Sequence, residues 1–191
     1  MARLPNIPPG DLTVDQRPLF DKIQDGVKRH LTGFTTQKAD GAMIGPFTGM
    51  LTFPEFGTPI FDMFLALAGG TVLSVEAREV VILATGGRFG AMYEIYSHEA
   101  LAAKAGLSQS KIRSLAAGEK PNDLSEVETI AYDITACLHR GHQIPTSLYE
   151  SAVSSFGPKG VAEIAYLYGC YTTICSLCNA FDVDLTGTEE G

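Results

Sequence analysis

The sequence predicts an all-α fold of seven or eight helices, on three grounds. Apolar residues recur at spacings of three and four, capping residues bracket those runs, and few stretches alternate apolar and polar residues as a half-buried strand would. Residues 1–12 are proline-rich and read as an irregular arm. Asp15 is placed to cap a first helix with Pro18 in its first turn, carrying Phe20, Ile23, Val27 and Leu31 and ending at Gly33. Residues 33–57, rich in Gly, Pro and Thr, read as a long irregular segment, which in a compact domain is often functional. Thr58-Pro59 opens the next helix, filled by Ile60, Phe61, Phe64, Leu65 and Leu67 and closed by Gly69-Gly70.

Ser74 caps a further helix that carries Val80, Val81, Leu83 and Ala84 and weakens at Gly86-Gly87. Another spans about Gly90 to Ala105 with Gly106 as its stop, and Ser108 starts a short one through Ala117. Ser125 and Glu128 have the spacing of a capping box for a helix to about His139. Pro145-Thr146 leads a segment to Phe156, Pro158 begins a last long helix to about Ala180, and 183–191 forms an irregular tail. No repeat or linker divides the chain, so one domain is expected over residues 1–191.

Composition narrows the functional classes. Charged residues are only 19% of the 191, against 45% hydrophobic, and mean hydropathy is +0.10. So little charge leaves apolar surface to cover, and a homo-oligomer is expected. A net charge of −8 without a Lys/Arg cluster argues against nucleic-acid and anionic-membrane partners. No transmembrane helix or signal peptide is expected, and four cysteines in such a chain suggest the reducing cytoplasm.

The chemistry concentrates between Ser74 and Leu107. Glu94 and His98 are four apart on one predicted helix, so their side chains share a face. A carboxylate beside an imidazole fixes its tautomer and raises its basicity, which suits His98 to proton transfer near neutral pH. The plainer alternative is an ordinary surface pair. Against that, Tyr93, Ile95 and Tyr96 predict that part of this helix is buried. Arg88, beside Gly86, Gly87 and Gly90, is suited to holding a carboxylate, or else is a solvated loop residue.

These residues resemble the carboxymuconolactone decarboxylase/alkylhydroperoxidase (AhpD-like) superfamily. The pattern consists of Arg78-Glu79, Arg88, Gly90-Ala91, Tyr93-Glu94, His98, Ala102 and Ala105-Gly106-Leu107. Gly45-Pro46-Phe47 with Pro54, and Tyr168-Gly169-Cys170-Tyr171 with Asn179-Ala180-Phe181, extend it over roughly residues 40–185. The redox branch carries Glu-x11-Cys-x2-Cys-x3-His. Laid on this chain, its Glu falls on Glu79 and its His on His98, while the two cysteine positions fall on Ala91 and Glu94. The proton-handling frame survives and both thiols are gone, which argues against peroxide reduction by that route.

The resemblance implies a cofactor-independent lyase or isomerase, decarboxylating a small lactone or keto-acid type substrate, with no metal. It implies His98, Glu94 and Glu79 as catalytic residues, Arg88 and Tyr93 as substrate-binding residues, and a trimer or hexamer. Two alternatives stand beside it. Cys175-Ser176-Leu177-Cys178 could form a displaced redox pair or half a metal site, although buried packing is the plainer reading of these cysteines and of Cys170. The chain could also be a non-catalytic small-molecule binding protein. His30, His139 and His142 read as surface or helix-end residues, and the alanines around Ala100 to Ala105 as close packing.

Overall fold

The computed structural model describes residues 2–69, 72–183 and 185. Among these residues a 3-10 turn at Pro9–Asp11 precedes eight α-helices: α1 Arg17–His30, α2 Pro46–Thr52, α3 Pro54–Gly69, α4 Val75–Phe89, α5 Met92–Ala105, α6 Gln109–Ala116, α7 Glu126–His139 and α8 Thr146–Ala180. Among the described residues the extended structure is one isolated bridge between Gln37 and Met43. Gly70 as a helix stop, and the expected tail apart from Val183 and Leu185, lie outside the described residues.

Local chemistry sets most of the boundaries. The Ser74 and Ser108 hydroxyls accept the backbone N–H groups of Ala77 and Lys111, and Ser125 and Glu128 form the full capping box. Gly90 and Gly106 end α4 and α5 in the left-handed conformation. α1 starts later than the expected Asp15 cap, with Gln16 at the cap position and Pro18 in the first turn. Gly86-Gly87 does not weaken α4, which runs through both. At Gly87 a Cβ would overlap the carbonyl of Leu115, so glycine there lets the end of α6 lie against α4.

The segment expected to be irregular is the main difference. Within 33–57, α2 forms and buries Phe47, Met50 and Leu51, and α3 begins at Pro54, so that Pro59 lies inside α3 and is not its first residue. The spacing of Phe47, Met50 and Leu51 is one apolar helix face. Seven residues that include a glycine and two threonines are too few for that pattern to stand out.

α4 is the centre of the packing and contacts α5, α6, α7 and α8. Val80 and Leu83 point to α5 and α6, while Ala77, Val81 and Ile82 join the larger core with α1, α3, α7 and α8. A helix buried on every side carries apolar residues all round, and any polar residue on it must find a partner. α8 is long and apolar enough to cross a membrane by composition, but half of its most apolar window is buried in the fold, and Gly157 (φ 67°) breaks it.

Gly45 fixes the start of α2. Its φ of 71° and ψ of −147° lie where essentially only glycine goes, and a Cβ would overlap the ring of Tyr93. Gly45→Ala is expected to cost about 2–4 kcal/mol, combining backbone strain with overpacking. A urea-unfolding midpoint unchanged from wild type would contradict this reading of the turn.

Candidate active site

The two-residue turn at Gly90-Ala91 folds α5 back alongside α4 and sets three titratable groups together in the interior. His98 Nδ1 lies 2.8 Å from Glu79 Oε2 across the helix pair. On the other side of the ring, Nε2 is 3.8 Å from Glu94 Oε2, one turn earlier on α5. All three side chains are buried, with His98 only 4% exposed. The ring of Tyr171, from α8, meets the His98 ring edge-on with centroids 5.1 Å apart. Cys178, also from α8, directs its thiol at Glu94 Oε1 at 3.9 Å. Glu79, Glu94 and His98 are therefore brought together as the sequence analysis expected.

Electrostatics follow from burial. Loss of water raises the Glu94 carboxyl above its ordinary value, against the pull of His98 and the Cys178 thiol. Burial alone would depress the His98 ring, but Glu79 at Nδ1 and Glu94 beyond Nε2 outweigh it and raise the ring above 6.5. Both shifts run in the direction that keeps protons on the cluster. Arg78 opposes the ring charge weakly, because its guanidinium is paired with Glu163 at 2.7 Å.

Two cavities meet at this cluster. One is an inner chamber of about 30 Å³, walled by Phe34, Phe47, Met50 and Phe61, with Glu94 and His98 at its polar end. The other is an open cleft of about 560 Å³ that reaches Glu79, Arg78, His30 and Lys104. Leu31, Phe64, His98 and Tyr171 line both. Glu79 thus faces the cleft, Glu94 faces the chamber, and His98 stands between.

Tyr93 lines the chamber with its ring, but its hydroxyl donates to the Thr35 carbonyl at 2.9 Å. The Thr35 N–H in turn donates to the Tyr96 hydroxyl at 3.2 Å, so these two tyrosines strap residues 34–35 onto α5. Arg88 is not brought to His98. It lies nine residues along α4 from Glu79, about 13 Å at helical rise, and lines a separate cleft with Lys120, His139 and Arg140. The sequence reading assigned no role to Tyr171, Leu31, Phe34 or Phe64. The signals available for α8 were the resemblance at Tyr168-Gly169-Cys170-Tyr171 and the spacing that puts Tyr171, Cys175 and Cys178 on one helix face.

The cysteines are free and buried. Cys175 and Cys178 pack against Ala91, and neither lines the chamber or the outer cleft. Burial, reinforced by the charge of Glu94, pushes the Cys170 thiol up to about 12 and raises Cys175 and Cys178 further. Such thiols are not thiolates at neutral pH.

The sequence matches no family model and no curated protein. Its fold matches solved structures across nearly the whole chain. An uncharacterised peroxidase-related protein from Ralstonia eutropha, described as an alkylhydroperoxidase AhpD core, superposes with a TM-score of 0.76 at 16% identity, covering 100% of this chain and 98% of that one. A peroxidase-related protein from Silicibacter sp. gives 0.74 at 15% identity over 96% and 91%. The debrominase Bmp8 gives 0.68 at 13% identity over 91% and 89%. The chain has the AhpD-like fold, shared with at least one named enzyme.

The Glu79–His98 contact makes a signed prediction. A ring raised in the folded state stabilises the fold fully below pH 6.5, and that stability is lost as pH rises through the folded value. Glu94, also raised, loses its share in the same direction. Glu79→Gln is expected to cost about 1–3 kcal/mol at pH 6 and to flatten the decline of stability above it. A cost that grows with pH would contradict the assignment.

Proposed function

We propose that this chain is a cofactor-independent acid–base enzyme that decarboxylates a small lactone or keto-acid type molecule, with His98 as proton donor. What carries the reading is that Glu79 occupies Nδ1 of a buried imidazole, so that the other ring nitrogen is left to Glu94 and a mostly apolar chamber.

The chemistry needs little more. A carboxylate leaving water for an apolar chamber loses hydration, whereas CO2 and a delocalised carbanion lose less. The C–C bond breaks, CO2 departs, and its bonding pair remains as an enolate. His98 Nε2–H donates its proton to the carbanion carbon and becomes neutral imidazole. The protonated Glu94 carboxyl donates a hydrogen bond to the developing oxyanion. Glu79 stabilises the imidazolium at Nδ1, and Nε2 regains its proton from solvent that enters as the product leaves. The chamber itself has room for about one water. The body of the substrate therefore occupies the outer cleft, and displacement of Leu31 and Phe64 admits its carboxyl end. Tyr93 supplies a wall, and Arg88 has no part at this chamber.

A thiol-redox reading draws on the peroxidase-related neighbours and on the Cys178–Glu94 contact. The raised, enclosed thiols weigh against it. We also place the chain in a homo-oligomer, trimeric or hexameric, in the cytoplasm. Support comes from an almost wholly apolar groove of about 520 Å³ lined by Phe53, Phe56, Ile60, Leu177 and Phe181. A strictly monomeric species in sedimentation would remove the oligomer.

The test is CO2 release from a panel of β-keto acids and lactone carboxylates. His98→Ala is expected to lower turnover at least about a hundredfold, the usual range for a lost general acid. Activity should fall as pH rises through the raised value of His98, because the acid form is required. Cys175→Ala should retain full activity. Turnover that survives in His98→Ala, or vanishes in Cys175→Ala, overturns the proposal.

A further inference from the structure

We propose that the cleft between the C-terminal ends of α4 and α7 is a second binding site, for a small organic carboxylate with a flat apolar body. This cleft, about 430 Å³, is separate from the Glu79–His98–Glu94 cluster and is lined by Arg88, Lys120, Tyr132, Asp133, His139 and Arg140.

Charge is the first reason. A chain with a net charge of −8 gathers three cationic side chains and a histidine around one hollow. The single acid among them, Asp133, is already paired with Lys120 at 2.6 Å. The guanidinium of Arg88 makes no hydrogen bond or ion pair among the described residues. Arg140 spends only its Nε, on its own helix at Ala136, and its two terminal nitrogens stay available. Basic residues in a last helical turn complement the helix dipole, and that alone would account for Arg88 and Arg140 singly. It does not account for their converging on one cavity.

The second reason is an orphaned polar atom. His139 Nδ1 is shut off from solvent and has no hydrogen-bond partner among the described residues. Its ring is fixed by edge-on contacts with Phe89 and Tyr168, at centroid distances of 5.4 and 6.1 Å. An unpartnered buried nitrogen is costly, and a carboxylate drawn into the cleft would satisfy it by accepting Nδ1–H once the side chains that cover the ring edge give way. The ring is held below its ordinary value by burial and by the Arg88 charge, and an anion between the two would reverse that second effect.

The ligand class follows. Two planar guanidinium forks fit the two oxygens of a carboxylate, whereas Asp133 on the α7 wall disfavours a doubly charged phosphate. Tyr132 and the aliphatic stems of the basic residues offer an apolar surface to a flat body.

The full chain is titrated with benzoate, acetate and inorganic phosphate while the histidine rings are followed by NMR. Benzoate should bind saturably, shift the His139 ring towards its protonated form, and bind more tightly than acetate or phosphate. Arg88→Gln and Arg140→Gln, both exposed and foldable, should each weaken benzoate about tenfold or more. His98→Ala should bind it as wild type does, which separates this site from the chamber. No saturable binding, a response at His98 and not His139, tighter binding of phosphate, or full affinity in Arg88→Gln each overturns the proposal.

Discussion

A hydrogen bond of 2.8 Å between His98 and Glu79, two side chains almost wholly buried at the floor of a cleft, constrains the rest of this molecule. Two carboxyl groups and an imidazole in a core must share protons so that the set stays near neutral, and each must keep a partner. The surroundings meet those demands. The tight turn at Gly90-Ala91 holds α5 against α4, Tyr171 closes one side of the ring, and the Arg78–Glu163 pair fastens α4 to α8. If Glu79 were lost, His98 would be a buried polar ring with no partner at Nδ1.

The fold frames what that cluster can do. Solved structures with the same helical arrangement include uncharacterised peroxidase-related proteins and a debrominase, so the fold alone does not name the reaction and the side chains must decide. At the two places where the redox pattern calls for cysteine, this chain has Ala91 and Glu94. Neither side chain can form the thiolate that the redox pattern uses. The cysteine pair on α8 lies directly behind those positions, with Cys175 and Cys178 packed on Ala91. Enclosed there, it fills volume and offers Glu94 a weak donor.

Much of this could be read from the sequence wherever information is local. The caps at Ser74, Ser108 and Ser125, the glycine stops at Gly90 and Gly106, and the shared face of Glu94 and His98 all depend on neighbours within four residues. The Glu79 partnership came from spacing on a resemblance, because no local rule joins residues nineteen apart. The chamber was not legible. Its walls come from Leu31, Phe34, Phe47, Phe61, Phe64 and Tyr171, on separate elements whose meeting is a tertiary fact. The helix α2 escaped because seven residues carry less than two helical turns of pattern. Arg88 was expected beside the substrate at His98, but helical rise carries it to a separate cleft.

The most direct measurement is a ¹⁵N NMR titration of the His98 ring in the folded protein. An imidazolium that persists well above pH 6.5, with Nδ1 protonated and hydrogen-bonded throughout, is the predicted result. A ring that titrates below 6.5, or one whose Nδ1 loses its proton first, would mean that Glu79 does not govern it.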